Sequence, residues 1–314
     1  EGRSHPIERL LEIGQDFLQQ DNIARGVVEA VTNALDMVGI LLVRHYEDPN
    51  LLERVVEHER AHEKTAHKQL AREQVVAAIQ LGGYGKREII VRVNGLDSEW
   101  GEDDITAAAV SGADGICLPK IENEIEVEAA VKLVNDAGAP STVQIWVMIE
   151  TPLGVHNVNQ IAGADARISV MVMGTTDLAY ELHVPHTEDR IGLQYALSRC
   201  VVAARVHGKE ILDGVYLNID DQNGFISASE QGRQLGFDGK TLIHPSQIAA
   251  ANRIFGLSDD DVVHAHTVIN AWREAEAEGK AVVLVDGQLI EAMHVEEARR
   301  QIGIADMMLQ LEPD

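Results

Sequence analysis

Two acidic residues each follow an apolar run of the kind that forms a buried strand. Glu150 comes directly after IWVMI, and Asp177 comes shortly after ISVMVM. The roughly 25 residues between these runs hold one helix, which predicts a βαβ unit with parallel strands. Both carboxylates would then lie at the carboxyl ends of neighbouring strands, where parallel α/β proteins build active sites. Such oxygen donors, without clustered Cys or His, favour Mg²⁺ over zinc. The alternative is structural, with Glu150 capping a turn and Asp177 a helix.

Further candidate residues stand at the ends of the neighbouring apolar runs. Arg92 closes IIVRVNG and would grip a carboxylate with its guanidinium fork, with a strand-end salt bridge as the alternative. Lys120 ends ICLPK in a similar position, and there the structural role is slightly favoured. Gly174 would allow a substrate to approach the backbone closely, and Thr175 and Thr176 would offer donors at a helix start.

Three more sequence features have weaker links to chemistry. Asp213 in ILDGV is another strand-end carboxylate. His244 in LIHP is a candidate ligand or base, and a buried, hydrogen-bonded histidine is the alternative. Residues 58–62 spell HERAH, the H-E-x-x-H pattern of zinc proteases. The charged residues packed around that pattern favour a solvated helix face over a zinc site.

Composition narrows the class of protein. A chain of 314 residues with 45% hydrophobic residues fits one large α/β barrel or two domains. The formal charge of −25 argues against nucleic acid as the main partner. No apolar run is long enough to span a membrane, and the opening EGRSHPIERL lacks the apolar core of a signal peptide. Cys117 and Cys200 are expected to be buried free thiols of a cytoplasmic protein.

Strand and helix patterns alternate along most of the chain. Helices are predicted over residues 1–38 and 50–80, with a short strand between them at residues 39–44. The later predicted strands are EIIVRVNG, then residues 115–120, 144–149, 169–174, 209–215 and 240–244. Strands that recur every 25 to 35 residues with helices between them predict a (β/α)₈ barrel, with one strand still to be identified near the N-terminus. A doubly wound open sheet is the alternative, but no Gly-rich dinucleotide loop follows a strand.

The pattern changes after Phe255. Residues 258–278 predict a long helix with Ser258 as its N-cap, followed by a hairpin-like piece with a DG turn and a last helix. We therefore divide the chain into an atypical N-terminal segment, residues 1–69, that completes the barrel, the main barrel, residues 70–256, and a C-terminal helical extension, residues 257–314.

Several phrases together resemble one family. They are VRVNGLDSEWG, ADGICLPKIE, IETPLGVHN, VMGTTDLAYEL, DGVYLNIDDQNGF, GFDGKTLIHPSQIAAAN and VDGQLIEAMHVEEAR. The set resembles the citrate lyase β-subunit-like CoA-ester lyases of the HpcH/HpaI aldolase superfamily, nearest the malyl-CoA lyases and (3S)-malyl-CoA thioesterases. The resemblance covers about residues 70–305 and implies a TIM barrel assembled as homotrimers or homohexamers.

The resemblance also implies roles for particular residues. Glu150 and Asp177 match the ligands of Mg²⁺, or of Mn²⁺, and Arg92 matches the arginine that holds the carboxylate of a 2-oxo acid. The C-terminal extension matches the segment that supplies a catalytic acid to a neighbouring subunit. That acid is usually Asp in G-x-x-[VI]-D, and GQLIE places Glu291 there, as in the thioesterase branch. Asp286 is the second choice.

The N-terminal part departs from the family. Residues 1–69 lack both the R-S-x-L-x-x-P-G strand and the D-L-E-D-A-V strand end, so no CoA-contacting residue is assigned there. This segment is either a diverged part of the family with a rebuilt first strand, or foreign to the family.

Three functions follow from the resemblance. The first is a Mg²⁺-dependent lyase that cleaves a malyl-CoA-type thioester to an acyl-CoA and a 2-oxo acid such as glyoxylate. The second is a (3S)-malyl-CoA thioesterase, which would release malate and CoA. The third is a non-catalytic subunit of the same fold, which the atypical N-terminus suggests.

Overall fold

The computed structural model describes the backbone of residues 28–30 and 39–43, and then residues 66–84 and 87–311. The H-E-x-x-H pattern lies outside these ranges. The chain divides into two compact units, the first ending at Phe255 and the second beginning at Gly256.

Six parallel strands form the frame of the first unit. They are β3 (Glu88–Arg92), β4 (Gly115–Leu118), β5 (Gln144–Ile149), β6 (Ile168–Met173), β7 (Glu210–Asp213) and β8 (Gly239–Leu242). Strands β3 to β6 contain apolar runs, because side chains covered on both sides of a sheet are mostly apolar, whereas β8 also buries Lys240 and Thr241. This confirms the predicted α/β fold of the TIM-barrel type.

Two short strands join β8 to β3 and close the strand order into a barrel. Strand β1 (Val28–Ala30) runs parallel to β8, whereas β2 (Gly39–Val43) runs antiparallel to both β1 and β3. The strand predicted at residues 39–44 is therefore present, but its direction departs from an all-parallel barrel. The helix predicted over residues 1–38 is wrong at Val28–Ala30, because pairing with β8 prevails over a helical apolar spacing.

Helices lie between consecutive strands from β2 to β8, as the periodicity predicted, and the first part of the helix predicted over residues 50–80 lies outside the described residues. The helices are α1 (Ala66–Leu81), α2 (Gly101–Ala109), α3 (Glu124–Asp136), α4 (Pro152–Ala162), α5 (Thr175–Glu181), α6 (Gln194–Val206), α7 (Gln222–Leu235) and α8 (Ile248–Phe255), the last preceded by a 3₁₀ turn at Pro245–Gln247. N-cap side chains fix where some of these helices begin: Asn123 and Thr151 accept hydrogen bonds from backbone N–H groups of α3 and α4. Gly236, with φ of 98°, ends α7 in the left-handed region.

Alternate residues of the strands face two different apolar layers. One layer contains Ile89 and Val91 with the inner faces of the helices. The other is a separate cluster inside the barrel, made of Ile90, Cys117, Trp146, Met148, Val170, Val172 and Leu212. Because side chains alternate along a strand, this cluster shows which positions point into the barrel.

The second unit is a small helical piece with its own core. It contains α9 (Asp259–Ala277), the hairpin strands β9 (Val283–Val285) and β10 (Gln288–Ile290), and α10 (Ala292–Leu311). Ser258 caps α9 in a capping box with Asp261, which confirms the predicted N-cap. In the part of the chain that the structure describes, no helix combines the length and apolarity that a membrane crossing needs.

Candidate active site

The inward positions at the carboxyl ends of three strands carry the predicted site. Arg92 lies two residues beyond the inward-facing Ile90 on β3, and Glu150 lies two residues beyond Met148 on β5. Gly174 follows β6 in the same way. Because side chains alternate between the two faces of a strand, these positions all point into the barrel at its carboxyl-terminal end.

Glu150 is a buried carboxylate whose two oxygen atoms have different neighbours. It is 4% exposed, and its Oε1 accepts a hydrogen bond of 2.8 Å from the backbone N–H of Lys120. Its Oε2 faces Gly174: a Cβ at that glycine would lie 2.4 Å from Oε2 and 2.3 Å from the Cβ of Glu150. Only glycine therefore fits beside this carboxylate.

The substitution Gly174→Ala tests this close packing. We expect the added methyl group to displace Glu150, because both contacts fall below the distance that real Cβ atoms allow. The displaced carboxylate should weaken binding at the predicted Mg²⁺ site by about tenfold or more, the size of effect seen when groups that orient metal ligands are lost. Isothermal titration with Mg²⁺ measures this, and Gly303→Ala, at an exposed glycine of α10 with open space around it, is a surface control. Unchanged Mg²⁺ affinity in Gly174→Ala would contradict the expectation.

Asp177 lies in the first turn of α5 and is close enough to Glu150 to affect its ionisation. Its side chain is 46% exposed, and its Oδ1 lies 3.5 Å from the Nζ of Lys120. Burial and the negative charge of Asp177 raise the pKa of Glu150, and they outweigh the opposing effects of Lys120 and Arg92. Arg92, Glu150 and Asp177 are thus within electrostatic reach of one another.

Lys120, the strand-end candidate for which a structural role was slightly favoured, belongs to this group. Its backbone N–H contacts Glu150, its ammonium contacts Asp177, and its φ of 49° is unusual for a residue with a side chain. Burial lowers the pKa of Lys120, but the charges of Asp177 and Glu150 outweigh this effect, and its pKa is raised overall. The feature of the sequence that could have predicted this role is the position of Lys120 at the end of the strand ICLPK.

The threonines after Gly174 are more buried than a role as hydroxyl donors suggests. Thr175 is 3% exposed, and a Cβ at Gly214 would lie 2.3 Å from its Oγ1, so the Thr175 hydroxyl faces the end of β7. The Oγ1 of Thr176 is also buried, and the structure gives it no hydrogen-bond partner. Substrate binding by Thr175 would therefore fall to its backbone amide.

Two other candidates have structural partners instead. Asp213 follows the inward-facing Leu212, so it points outward, where its carboxylate contacts the guanidinium of Arg190 and the ammonium of Lys240 at 2.8 and 2.9 Å. His244 accepts a hydrogen bond from the backbone N–H of Ser246 through Nδ1, which agrees with the hydrogen bond of the structural alternative, although the residue is half-buried and not buried.

The predicted acids of the C-terminal extension lie in the second unit. Glu291 is exposed directly after β10, and its backbone N–H donates a hydrogen bond of 3.0 Å to the Nδ1 of His294. Asp286 occupies the hairpin turn with φ of 50°, and its Oδ2 lies 3.8 Å from the Nδ1 of His264. Catalysis by either residue at a neighbouring subunit stays a prediction.

The donor set at the barrel end fits a hard divalent cation. Glu150 and Asp177 supply carboxylate oxygens, and no cluster of three His, Cys, Asp or Glu side chains able to hold a metal occurs among the described residues. Two carboxylates leave most coordination positions to water and substrate oxygens, which is the usual way in which proteins bind Mg²⁺. Buried Glu150, held by a backbone N–H, would give such a site a fixed ligand.

Comparison with known proteins identifies relatives across most of the chain. The family model for HpcH/HpaI aldolase/citrate lyase matches residues 55–245. A (3S)-malyl-CoA thioesterase of Cereibacter sphaeroides is 43% identical over 246 residues, which are 78% of this chain and 83% of that protein. The citrate lyase subunit beta of Leuconostoc mesenteroides is 34% identical over 246 residues, 77% of this chain and 82% of that protein.

Solved structures support the same fold. A citrate lyase of Burkholderia xenovorans matches with a TM-score of 0.66 at 17% identity, over 80% of this chain and 82% of that one. The CitE protein of Mycobacterium tuberculosis, solved with magnesium, acetoacetate and coenzyme A, matches with a TM-score of 0.59 at 24% identity, over 78% and 87% of the two chains.

Proposed function

Because this chain belongs to the HpcH/HpaI aldolase/citrate lyase family, we propose that it hydrolyses a malyl-CoA-type thioester to a hydroxy acid and CoA. Its relatives in that family include a (3S)-malyl-CoA thioesterase and a citrate lyase subunit beta. The observation that carries the proposal is the 43% identity to a (3S)-malyl-CoA thioesterase over 78% of the chain. Glu291, in the position where the lyases carry Asp, points to the same branch.

Magnesium is the metal that the site supports. Glu150 and Asp177 would hold the ion, and the magnesium in the complex of the M. tuberculosis CitE protein supports this choice. When bound, Mg²⁺ would act as a Lewis acid toward oxygen atoms of the substrate and as a template for its carboxylate. Mn²⁺ prefers the same kind of oxygen ligands and is the alternative ion.

The residues of the chain would divide the remaining work. Arg92 would bind the free carboxylate of the acyl group through two parallel N–H···O hydrogen bonds. Glu291 of a neighbouring subunit in a homotrimer or homohexamer would take a proton from water as it attacks the thioester carbonyl. The carbon–sulfur bond then breaks, and CoA leaves as a thiolate that takes up a proton.

Carbon–carbon cleavage is the second candidate. The 34% identity to a citrate lyase subunit beta supports it, and the same site would bind the substrate. In that reaction the 3-hydroxy group of the thioester loses its proton, and the bond breaks to give a 2-oxo acid and the enolate of an acyl-CoA. Glu291 would then protonate the α-carbon of that enolate.

Product analysis separates these reactions. Purified protein would be incubated with (S)-malyl-CoA and Mg²⁺, and the products identified by mass spectrometry. Malate and free CoA without glyoxylate are the expected result. Formation of acetyl-CoA and glyoxylate would show that the protein is a lyase and would contradict the proposal. No turnover of any malyl-CoA-type thioester would favour a non-catalytic subunit.

Replacing Arg92 tests how the acyl group is bound. In Arg92→Gln we expect KM for the thioester to rise by about 10- to 100-fold, because charge-assisted hydrogen bonds to a carboxylate contribute roughly 1.5–3 kcal/mol. Steady-state kinetics measures the change, with Arg299→Gln, an exposed arginine of α10, as the control. A KM within twofold of the wild-type value would remove Arg92 from the substrate site.

A further inference from the structure

Lys120 contacts both candidate metal ligands through different atoms. Its backbone N–H donates a 2.8 Å hydrogen bond to Oε1 of Glu150, and its Nζ lies 3.5 Å from Oδ1 of Asp177. Any residue except proline would supply the first contact. Only a cationic side chain supplies the second, so the lysine side chain has a role separate from that of its backbone.

The backbone at Lys120 is held in a conformation that glycine would adopt more easily. Its φ of 49° lies in the left-handed region, and the next residue, Ile121, is fixed because its N–H donates to the carbonyl oxygen of Met148 at 3.3 Å. A residue with a side chain at such a position requires compensation from its surroundings. The observed compensation is the pair of contacts to Glu150 and Asp177.

The charges explain what the side chain does there. Glu150 and Asp177 repel each other when both are ionised, and the nearby ammonium offsets that repulsion. We propose that Lys120 is a positioning residue, the counter-cation of the Glu150–Asp177 pair: it keeps the carboxylates together before a dication binds, and it lowers their affinity for a dication that binds alone. This inference rests on the metal site of the proposed function.

The competition between ammonium and dication has a consequence for substrate binding. An anionic substrate adds negative charge beside the metal, which compensates for the positive charge of Lys120 and Arg92. The dication and the anionic substrate therefore bind more tightly together than either binds alone, a positive coupling between the two.

Metal titration without substrate tests the proposal. The probes are Mg²⁺ by isothermal titration and Mn²⁺ by electron paramagnetic resonance, both at low ionic strength. In Lys120→Met, which keeps the backbone N–H, the dissociation constant should fall by about three- to tenfold because a nearby positive charge is gone. Lys120→Arg should stay within twofold of wild type. The gain in Lys120→Met should shrink at high salt, since screening weakens the repulsion.

Two further variants separate charge from backbone and from fold. Lys120→Gly should tighten dication binding as Lys120→Met does, and its thermal stability should equal or exceed that of Lys120→Met because glycine accepts a positive φ. Lys132→Met removes a surface lysine that pairs with Asp136 on α3, and it should leave dication affinity unchanged.

The outcomes decide the inference independently of turnover. Unchanged or weaker dication binding in Lys120→Met, or no dication binding by the wild-type protein, would overturn it. If the wild type binds Mg²⁺ but turns over no malyl-CoA-type thioester, the proposed reaction fails, and the ratio of the two dissociation constants still decides the role of Lys120.

Discussion

Replacing Glu150 with glutamine is expected to lower kcat/KM by about 10³-fold, the equivalent of roughly 4 kcal/mol of transition-state stabilisation. Glutamine keeps the size of the side chain and an oxygen that can accept the hydrogen bond from Lys120, so the barrel should remain folded. The change removes the buried carboxylate that the proposed site would offer to Mg²⁺. Mg²⁺ affinity, measured by titration, should therefore fall together with the rate.

The control for this substitution is Glu128→Gln, an exposed glutamate on α3. It changes the net charge by the same amount and should leave both rate and Mg²⁺ affinity at the wild-type level. Thermal unfolding of both variants checks that the fold is intact. Turnover and Mg²⁺ binding that survive in Glu150→Gln would refute the metal site proposed at this end of the barrel.

The frame of this site was predictable because its strands are buried on both sides. The strand predicted at residues 144–149 is the strand Gln144–Ile149, and that predicted at residues 169–174 differs from Ile168–Met173 by one residue at each end. Continuous apolar runs with polar boundaries leave few other arrangements. The positions of Glu150 and Asp177 after these strands follow from the same pattern.

Other features depend on pairing or backbone geometry that local patterns do not carry. Strand β1 is three residues long, and its position depends on pairing with β8, more than 200 residues later in the chain. Lys120 has a left-handed backbone, but the sequence has no glycine or asparagine at that position from which this conformation could have been predicted. Asp213 shows a third reason: a strand-end position does not say which face a side chain takes, and only the inward-facing Leu212 settles it.

The outward-facing Asp213 is expected to matter for stability more than for chemistry. Its side chain is fully buried, as is that of Lys240, and that of Arg190 is 10% exposed. Arg190 also donates hydrogen bonds to Gln231 and to the carbonyl oxygen of Ala228 on α7, so the three charges join the sheet to a helix. Burial alone would raise the pKa of Asp213, but Lys240 and Arg190 lower it below its usual value.

Asp213→Ala should therefore reduce the free energy of unfolding by about 3–5 kcal/mol, because it leaves two buried cations without a counter-ion. Urea unfolding measures the loss, and Asp136→Ala, which breaks the exposed pair with Lys132, should cost roughly 0–1 kcal/mol. Since the folded-state pKa of Asp213 is lowered, its contribution is complete above the unfolded value of about 3.9 and is lost as pH falls through the folded-state pKa.

The double variant Asp213→Ala, Lys240→Met separates charge from packing. If uncompensated charge causes the loss, removing Lys240 as well should restore part of the stability. In the double variant only Arg190, and no longer Lys240, is a buried cation without a counter-ion. If the double variant is less stable than Asp213→Ala by the full cost of a buried side chain, packing explains the effect instead. Equal stability of Asp213→Ala and wild type would show that these buried charges contribute no net stabilisation to the barrel.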